Sequence, residues 1–370
     1  MDEVSIQDVA FAVTSLAADD PPLGRPRRPL RVARHGQAAN PFLTRKPPPC
    51  PVRLFHLRDV TLDCRTMVLL SDGRRITETC YLIDDTVRRA LTVDPALLIE
   101  VTDPAPVLIG ANSLPNNYYH WLIQALPAID AVRRVHGGMV ALQPVHHAWQ
   151  QASLDLLGHH GAPHLPLGWD RQYRLPHAVY CEVLNGTVAF ALNGAVRATL
   201  ARLRDALPRR PGARDCLYVA RTDATARHMR NEAALIERLR AMDFRIVVPG
   251  ELPLAAQLQA FRDARLVVGP HGAGLSNIAV CEPGTLVYEL LPAHYANACF
   301  HTLAALMDLD HWADAFSSTG VSTGEEASDF REWEVDVDAV VARVRELRAL
   351  AWPQPQPRMA WARTLARMFG

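Results

Sequence analysis

Two histidine-bearing stretches hold the residue types that could do chemistry. The later one reads Arg265-Leu-Val-Val-Gly-Pro-His-Gly-Ala-Gly-Leu-Ser-Asn277. Leu266 to Val268 predicts a short buried strand, which Gly269 and Pro270 break. Gly272 and Gly274 leave room for close backbone approach, and Leu275 to Val280 can start a helix. Such a turn presents free backbone N–H groups and the positive end of a helix dipole, which suits a phosphate or diphosphate. His271 adds an imidazole that can donate a hydrogen bond to the anion or carry charge beside it. The earlier stretch is Asn116-Asn-Tyr-Tyr-His-Trp-Leu-Ile-Gln-Ala-Leu-Pro127. Its spacing predicts a helix starting near Asn117, an acceptable N-cap, with Pro127 ending or kinking it. Asn117 and His120 lie three apart and so share one face of the first turn.

The elements that position these residues differ between the two halves. In the second half, predicted strands Cys216–Ala220, Phe244–Val248, Leu266–Val268 and Thr285–Leu290 alternate with predicted helices Asn231–Met242 and Leu254–Ala264. That alternation implies a parallel sheet covered on both faces, with ligands bound outside the carboxyl ends of the strands. Arg221, His271 and Glu289 all fall at such ends. In the first half, Val107–Ile109 is a further buried strand, and Val52 to about Val107 reads as a small antiparallel sheet with no chemistry of its own. Residues 19 to 51 form a Pro- and Arg-rich arm, expected to be irregular and solvated. Ala195–Leu207 predicts an amphipathic helix, followed by a linker at Pro208–Gly212. Glu332–Leu350 predicts a long helix, and Arg358–Phe369 a short basic, aromatic one. The resulting partition is an arm (1–51), a first α/β domain with its β-rich segment (52–210), a second domain (211–330) and C-terminal helices that return to the first domain (331–370).

Composition excludes several classes. With 39 basic and 39 acidic residues, no net charge favours a nucleic-acid partner. Seven cysteines are scattered without a Cys-x-x-Cys pair, which argues against a disulfide framework or a structural zinc site. The histidines between 146 and 164 lack the spacing and carboxylates of a metal site and read as loop residues. The first 18 residues make a poor signal peptide and no run is long enough to span a membrane. A cytoplasmic protein is expected, with a peripheral contact at the inner face of the membrane left open.

Four blocks occur in order: Asn117-Tyr-Tyr-His-Trp121, Arg221-Thr-Asp-Ala-Thr-Ala-Arg227 with Asn231-Glu232, Gly269-Pro-His-Gly-Ala-Gly-Leu275, and Pro283-Gly-Thr-Leu-Val-Tyr-Glu289. Together they resemble family-61 glycosyltransferases, the group that includes bacterial capsular polysaccharide biosynthesis proteins. Members often carry two consecutive basic residues where this chain has Arg227-His228. The resemblance implies a GT-B-like α/β architecture: two Rossmann-like domains facing across a cleft, here with a small N-terminal β-rich segment. It also implies an inverting, metal-independent transfer of a hexosyl or pentosyl group from a nucleotide-sugar donor to a glycan hydroxyl. The acceptor would be an oligosaccharide or a lipid-linked glycan.

Within that frame, the diphosphate is assigned to Arg221, Arg227 and the turn from Gly269 through His271, Gly272, Ala273 and Gly274 to Leu275, with Asn231 nearby. Glu289 is assigned to the ribose hydroxyls. His120, from the facing domain, is the candidate base, with Asn117 beside it and Tyr119 and Trp121 toward the acceptor. No cofactor and no metal ligand set is expected; Asp308-Leu-Asp310 and Asp336-Val-Asp338 match Asp-x-Asp only by chance. Two rival readings are a non-catalytic nucleotide-sugar or glycan-binding protein of the same fold, and a NAD-dependent oxidoreductase. The order Gly-x-x-Gly-x-Gly disfavours the latter.

Overall fold

The computed structural model describes residues 2–16, 31–34, 52–136, 139–142, 147–161, 163–185, 193–210, 212, 215–223, 226–295, 297–316 and 332–352. The chain is α/β and built on two sheets. In the first, the long strand Gln172–Cys181 is flanked on one side by parallel strands Val107–Ile109, Met139–Leu142 and His164–Pro166. On its other side Arg53–Asp63 runs antiparallel and leads into Val68–Ser71 and Arg74–Ile76. The β-rich segment is therefore not a separate sheet. Its hairpins extend the edge of the parallel one, because Arg53–Asp63 pairs along nearly its whole length with a partner over a hundred residues later.

The second sheet is wholly parallel, in the order Phe244–Val247, Asp215–Val219, Ala264–Pro270, Leu286–Pro292, Asp310–Phe316 and Arg31–Arg34. Numbered along the second half, its first five strands run 2-1-3-4-5, a doubly wound order whose switch point lies between the first and third. Apolar residues point to both faces in alternation: Leu217, Val219, Val267 and Val287 to one, Tyr218, Leu266, Val268 and Tyr288 to the other. Each such fully buried side chain contributes roughly 1.5–3 kcal/mol, so the sheet is held from both sides. Arg31–Arg34 is a correction to the irregular arm: it forms the sixth strand. The start of the arm is a second correction: Glu3–Val4 and Ala10–Ser15 are strands of the first sheet, paired with Arg74–Ile76 and Arg53–Asp63, while residues 17–30 and 35–51 lie outside the described residues.

The C-terminal helix is Val337–Ala351, N-capped by Asp336 through a hydrogen bond from the Ala339 N–H. It buries Val340, Val344 and Leu347 against the second sheet, in the same cluster as Tyr218, Tyr288 and Trp333. The expected return to the first domain is thus not made by this helix, whose apolar stripe is used up on the second. The predicted helix at Arg358–Phe369 lies outside the described residues. The other apolar face of the second sheet belongs to one core cluster with the first sheet and the helices between them. The two halves are joined by continuous apolar packing.

Candidate active site

The helix that carries His120 follows the carboxyl end of Val107–Ile109. Asn117 caps it, its side chain accepting from the N–H groups of Tyr119 (3.0 Å) and His120 (3.5 Å). Pro127 neither ends nor breaks the helix. The segment Trp121–Ala125 widens into a π-turn in which the Leu126 N–H reaches the carbonyl of Trp121, and an α-helix then runs from Leu126 to Val135. Proline has no N–H to offer the carbonyl four residues back and its ring crowds that carbonyl, so a wider turn relieves both problems. His120 Nδ1 lies 2.6 Å from Gln124 Oε1. Burial pushes its imidazole below the ordinary histidine range, and the bond to Gln124 offsets this only in part. A neutral ring at neutral pH follows.

His271 sits just past the carboxyl end of Ala264–Pro270, its N–H bonded to the Leu290 carbonyl at 2.9 Å. Its Nδ1 lies 2.5 Å from Glu289 Oε1, and the other carboxylate oxygen takes His311 Nε2 at 2.8 Å. The parallel register explains the trio. Val287 stands opposite His311 and Glu289 opposite Ala313, so Glu289 and His311 are diagonal neighbours on one face. Burial drives the Glu289 carboxyl upward, but the hydrogen bonds and charge of the two imidazoles outweigh it and hold the group at about 2. With both oxygens engaged and no exposed surface, Glu289 cannot bind a ribose. It orients His271 instead, which corrects its assignment.

Arg221, immediately beyond Asp215–Val219, lies with His271 at the switch point of the second sheet. Its guanidinium donates to the His271 carbonyl (2.6 Å) and the Ala226 carbonyl (3.3 Å), and its own N–H donates to Glu232 (2.9 Å). Burial and the nearby charge of Arg227 push this guanidinium down to about 10, so it stays charged at neutral pH. Two guanidinium groups that repel each other at the mouth of a turn make a site that an anion would stabilise. Arg227 lies 4.3 Å over the Tyr295 ring and adopts φ +54°, a conformation sustained here at a non-glycine residue.

The glycines serve the protein's own packing. A Cβ on Gly272 would stand 2.6 Å from Arg221 Nε, one on Gly269 3.0 Å from Val219 Cβ, and one on Gly274 3.0 Å from Pro249 Cγ. Only Ala273 and Gly274 of the turn are partly open, and the segment beyond, Ala273–Val280, is a 3₁₀ helix with Leu275 buried in the core. Leu275 therefore supports the turn without touching a ligand. Asn231 is likewise structural: its amide exchanges two hydrogen bonds with the backbone of Val335. Trp121 is buried and donates to Ser153 at 2.9 Å, which removes it from the acceptor side.

The two histidines are linked through two intervening aromatic rings. The ring of Tyr119 packs edge-on against both His120 (5.4 Å) and Phe300 (5.7 Å), and Phe300 against His271 (5.0 Å). Tyr119, 8% exposed, is thus a bridge between halves and not an acceptor platform. Tyr118 reinforces the join by donating to Asn277 Oδ1 at 2.5 Å. Tyr81 packs edge-on to His120 at 5.9 Å and Tyr295 to His271 at 5.5 Å. Sequence reasoning missed Tyr81, Tyr295, Phe300, His311 and Gln124. Only Gln124 carried a readable signal, four residues from His120 on a helix. Asp308 pairs with Arg197 at 2.6 Å and Asp336 caps a helix, so each Asp-x-Asp match includes a carboxylate with a structural duty. His159 pairs with buried Asp130 and His160 with Asp155, while His146 lies outside the described residues.

Residues 118–288 match the family model described as Glycosyltransferase 61, a span just under half of the chain. A stretch of 57 residues is 32% identical to a beta-1,2-xylosyltransferase of Arabidopsis thaliana, covering 15% of this chain and 11% of that protein. The family match contains His120, Arg221, Arg227 and His271 and stops one residue before Glu289. Through that segment the chain is similar to family-61 glycosyltransferases.

Proposed function

We propose that this chain is an inverting glycosyltransferase that moves a sugar from a nucleoside-diphosphate donor to a glycan hydroxyl. The observation that carries this reading is a run of edge-on rings, Tyr119 and Phe300, that links two histidines from different halves: His271 at a strand end beside paired arginines, and His120 on the helix after the first sheet, neutral and without a charged partner among the described residues. The reaction needs both. As the acceptor oxygen bonds to the anomeric carbon, the bond from that carbon to the phosphate oxygen breaks and its electron pair leaves with the diphosphate. The acceptor proton passes to His120 Nε2. Arg221, Arg227 and the partly open amides of Ala273 and Gly274 receive the growing negative charge, with His271 held beside them by Glu289. The acceptor is proposed to be an oligosaccharide or lipid-linked glycan of a capsular or surface polysaccharide, met in the cytoplasm or at the inner face of the membrane. Among the described residues, no helix is long and apolar enough to cross a membrane.

Arg221→Ala should weaken calorimetric binding of UDP or GDP by roughly ten- to a hundredfold, the scale of one or two charge-assisted hydrogen bonds. Unchanged affinity would leave Arg221 only as the clamp on the His271 carbonyl and reject the donor assignment. Because protein cations are assigned to the leaving group, activity should also survive EDTA. Loss of turnover with recovery on added Mn²⁺ would show instead that a metal ion meets the diphosphate. The donor itself is to be found by a hydrolysis panel of nucleotide sugars, with a xylosyl donor included because the similar plant protein is named for one.

A further inference from the structure

Behind His120 lies a chain of side-chain amides whose donor and acceptor roles are all forced. Gln124 Nε2 donates to the Leu184 carbonyl at 3.3 Å, and a carbonyl can only accept. The Gln124 oxygen must therefore be the atom facing Asn112 and His120. Asn112 agrees: its Nδ2 donates to that oxygen (2.9 Å) and to the Leu184 carbonyl (3.2 Å), while its Oδ1 accepts the Leu114 N–H (3.0 Å). Both amides are buried, Gln124 completely, so neither can turn over without stranding a polar atom. An acceptor oxygen 2.6 Å from His120 Nδ1 requires the proton on that nitrogen. In the neutral ring the lone pair then resides on Nε2, and no described group bonds to that atom.

We propose that Gln124, locked by Asn112 and the Leu184 carbonyl, is the positioning residue that holds His120 in its Nδ1–H tautomer and so makes Nε2 the proton acceptor. The inference rests on the reading of His120 as base, and it adds which atom works and what aims it. The choice of an amide matters. A carboxylate would orient the ring equally well but would stabilise the imidazolium by charge and keep the base occupied. A neutral partner orients the ring without that penalty. The π-turn contributes geometry, since Gln124 sits inside it, one turn from His120 on the same side of the helix.

The test is ¹⁵N–¹H correlation of the histidine rings in the full chain, with His120 assigned by its absence in His120→Ala. Nδ1 protonated and Nε2 unprotonated is the expected wild-type pattern; the reverse tautomer would overturn the proposal. Gln124→Leu should mix the tautomers and lower kcat by roughly ten- to a hundredfold, the scale seen when the partner that orients a metal-bound histidine is removed, with donor KM little changed. An unaltered His120 ring in a folded Gln124→Leu protein would equally refute it. Gln124→Glu, nearly isosteric, keeps the Nδ1–H pattern and moves the acidic limb of the kcat/KM profile to higher pH; no movement would count against the role. Should His120→Ala retain turnover while the wild-type ring shows the expected tautomer, the base assignment falls and the positioning device stands.

Discussion

Replacing His120 by alanine is expected to lower kcat by roughly 10²–10⁴-fold, the usual contribution of a positioned general base, while affinity for UDP or GDP stays within about twofold. The expectation comes from where the ring is anchored. His120 belongs to the first sheet's helix, is only partly buried, and among the described residues its ring bonds to the Gln124 side chain alone. Its removal leaves the Tyr119–Phe300–His271 contacts intact, so the donor side should not feel it. Arg221→Ala should give the opposite pattern. The pH dependence has a definite sign. A base must be unprotonated, so activity turns on as pH rises through the His120 value, and burial puts that limb below the ordinary histidine range. A variant that lost nucleotide binding in proportion to turnover would move His120 to the donor side.

Much of the second half was legible in the sequence because its strands are short apolar runs between glycine or proline signals. Those runs hold their meaning in a parallel sheet buried on both faces. The ends of the strands followed, and with them Arg221 and His271. The duties of polar residues did not. Glu289 reads as ligand-facing from its place at a strand end. Its real partners are His271, 18 residues earlier, and His311, 22 later, and only the register of three strands brings them together. Trp121 shows the same limit in reverse: a residue with a polar handle in a polar block is core, satisfied by Ser153. The first sheet was harder still, because its longest strand finds its partner across a large insertion of chain. No local pattern encodes such a pairing. Pro127 gave a correct warning with the wrong remedy, since a helix can widen as well as stop.

Glu289→Gln should destabilise the fold by roughly 3 kcal/mol, the order of free energy that holding its carboxyl at about 2 against an ordinary 4.5 represents. Glutamine keeps one acceptor oxygen but sets an NH₂ group against the other imidazole N–H, donor against donor. At the per-residue entropies of ordinary domains, over a chain of 370 residues, this is a fall in Tm of roughly 4–5 °C. The cost should depend on pH in one direction. The Glu289 carboxyl is held at about 2 against an ordinary 4.5, so its contribution is complete above about 4.5 and disappears as pH falls toward 2. The gap in stability between wild type and variant is therefore widest near neutrality and closes in acid; a gap unchanged down to pH 2 would show that the ionised carboxylate is not its source. The same substitution separates two duties for this residue. If Glu289 held a ribose, nucleotide affinity would drop with little change in Tm. If it orients His271, as the 2.5 Å contact implies, both fall together. In a double-mutant cycle the His271→Ala change then adds little to the loss already made by Glu289→Gln, because the two side chains act as one unit.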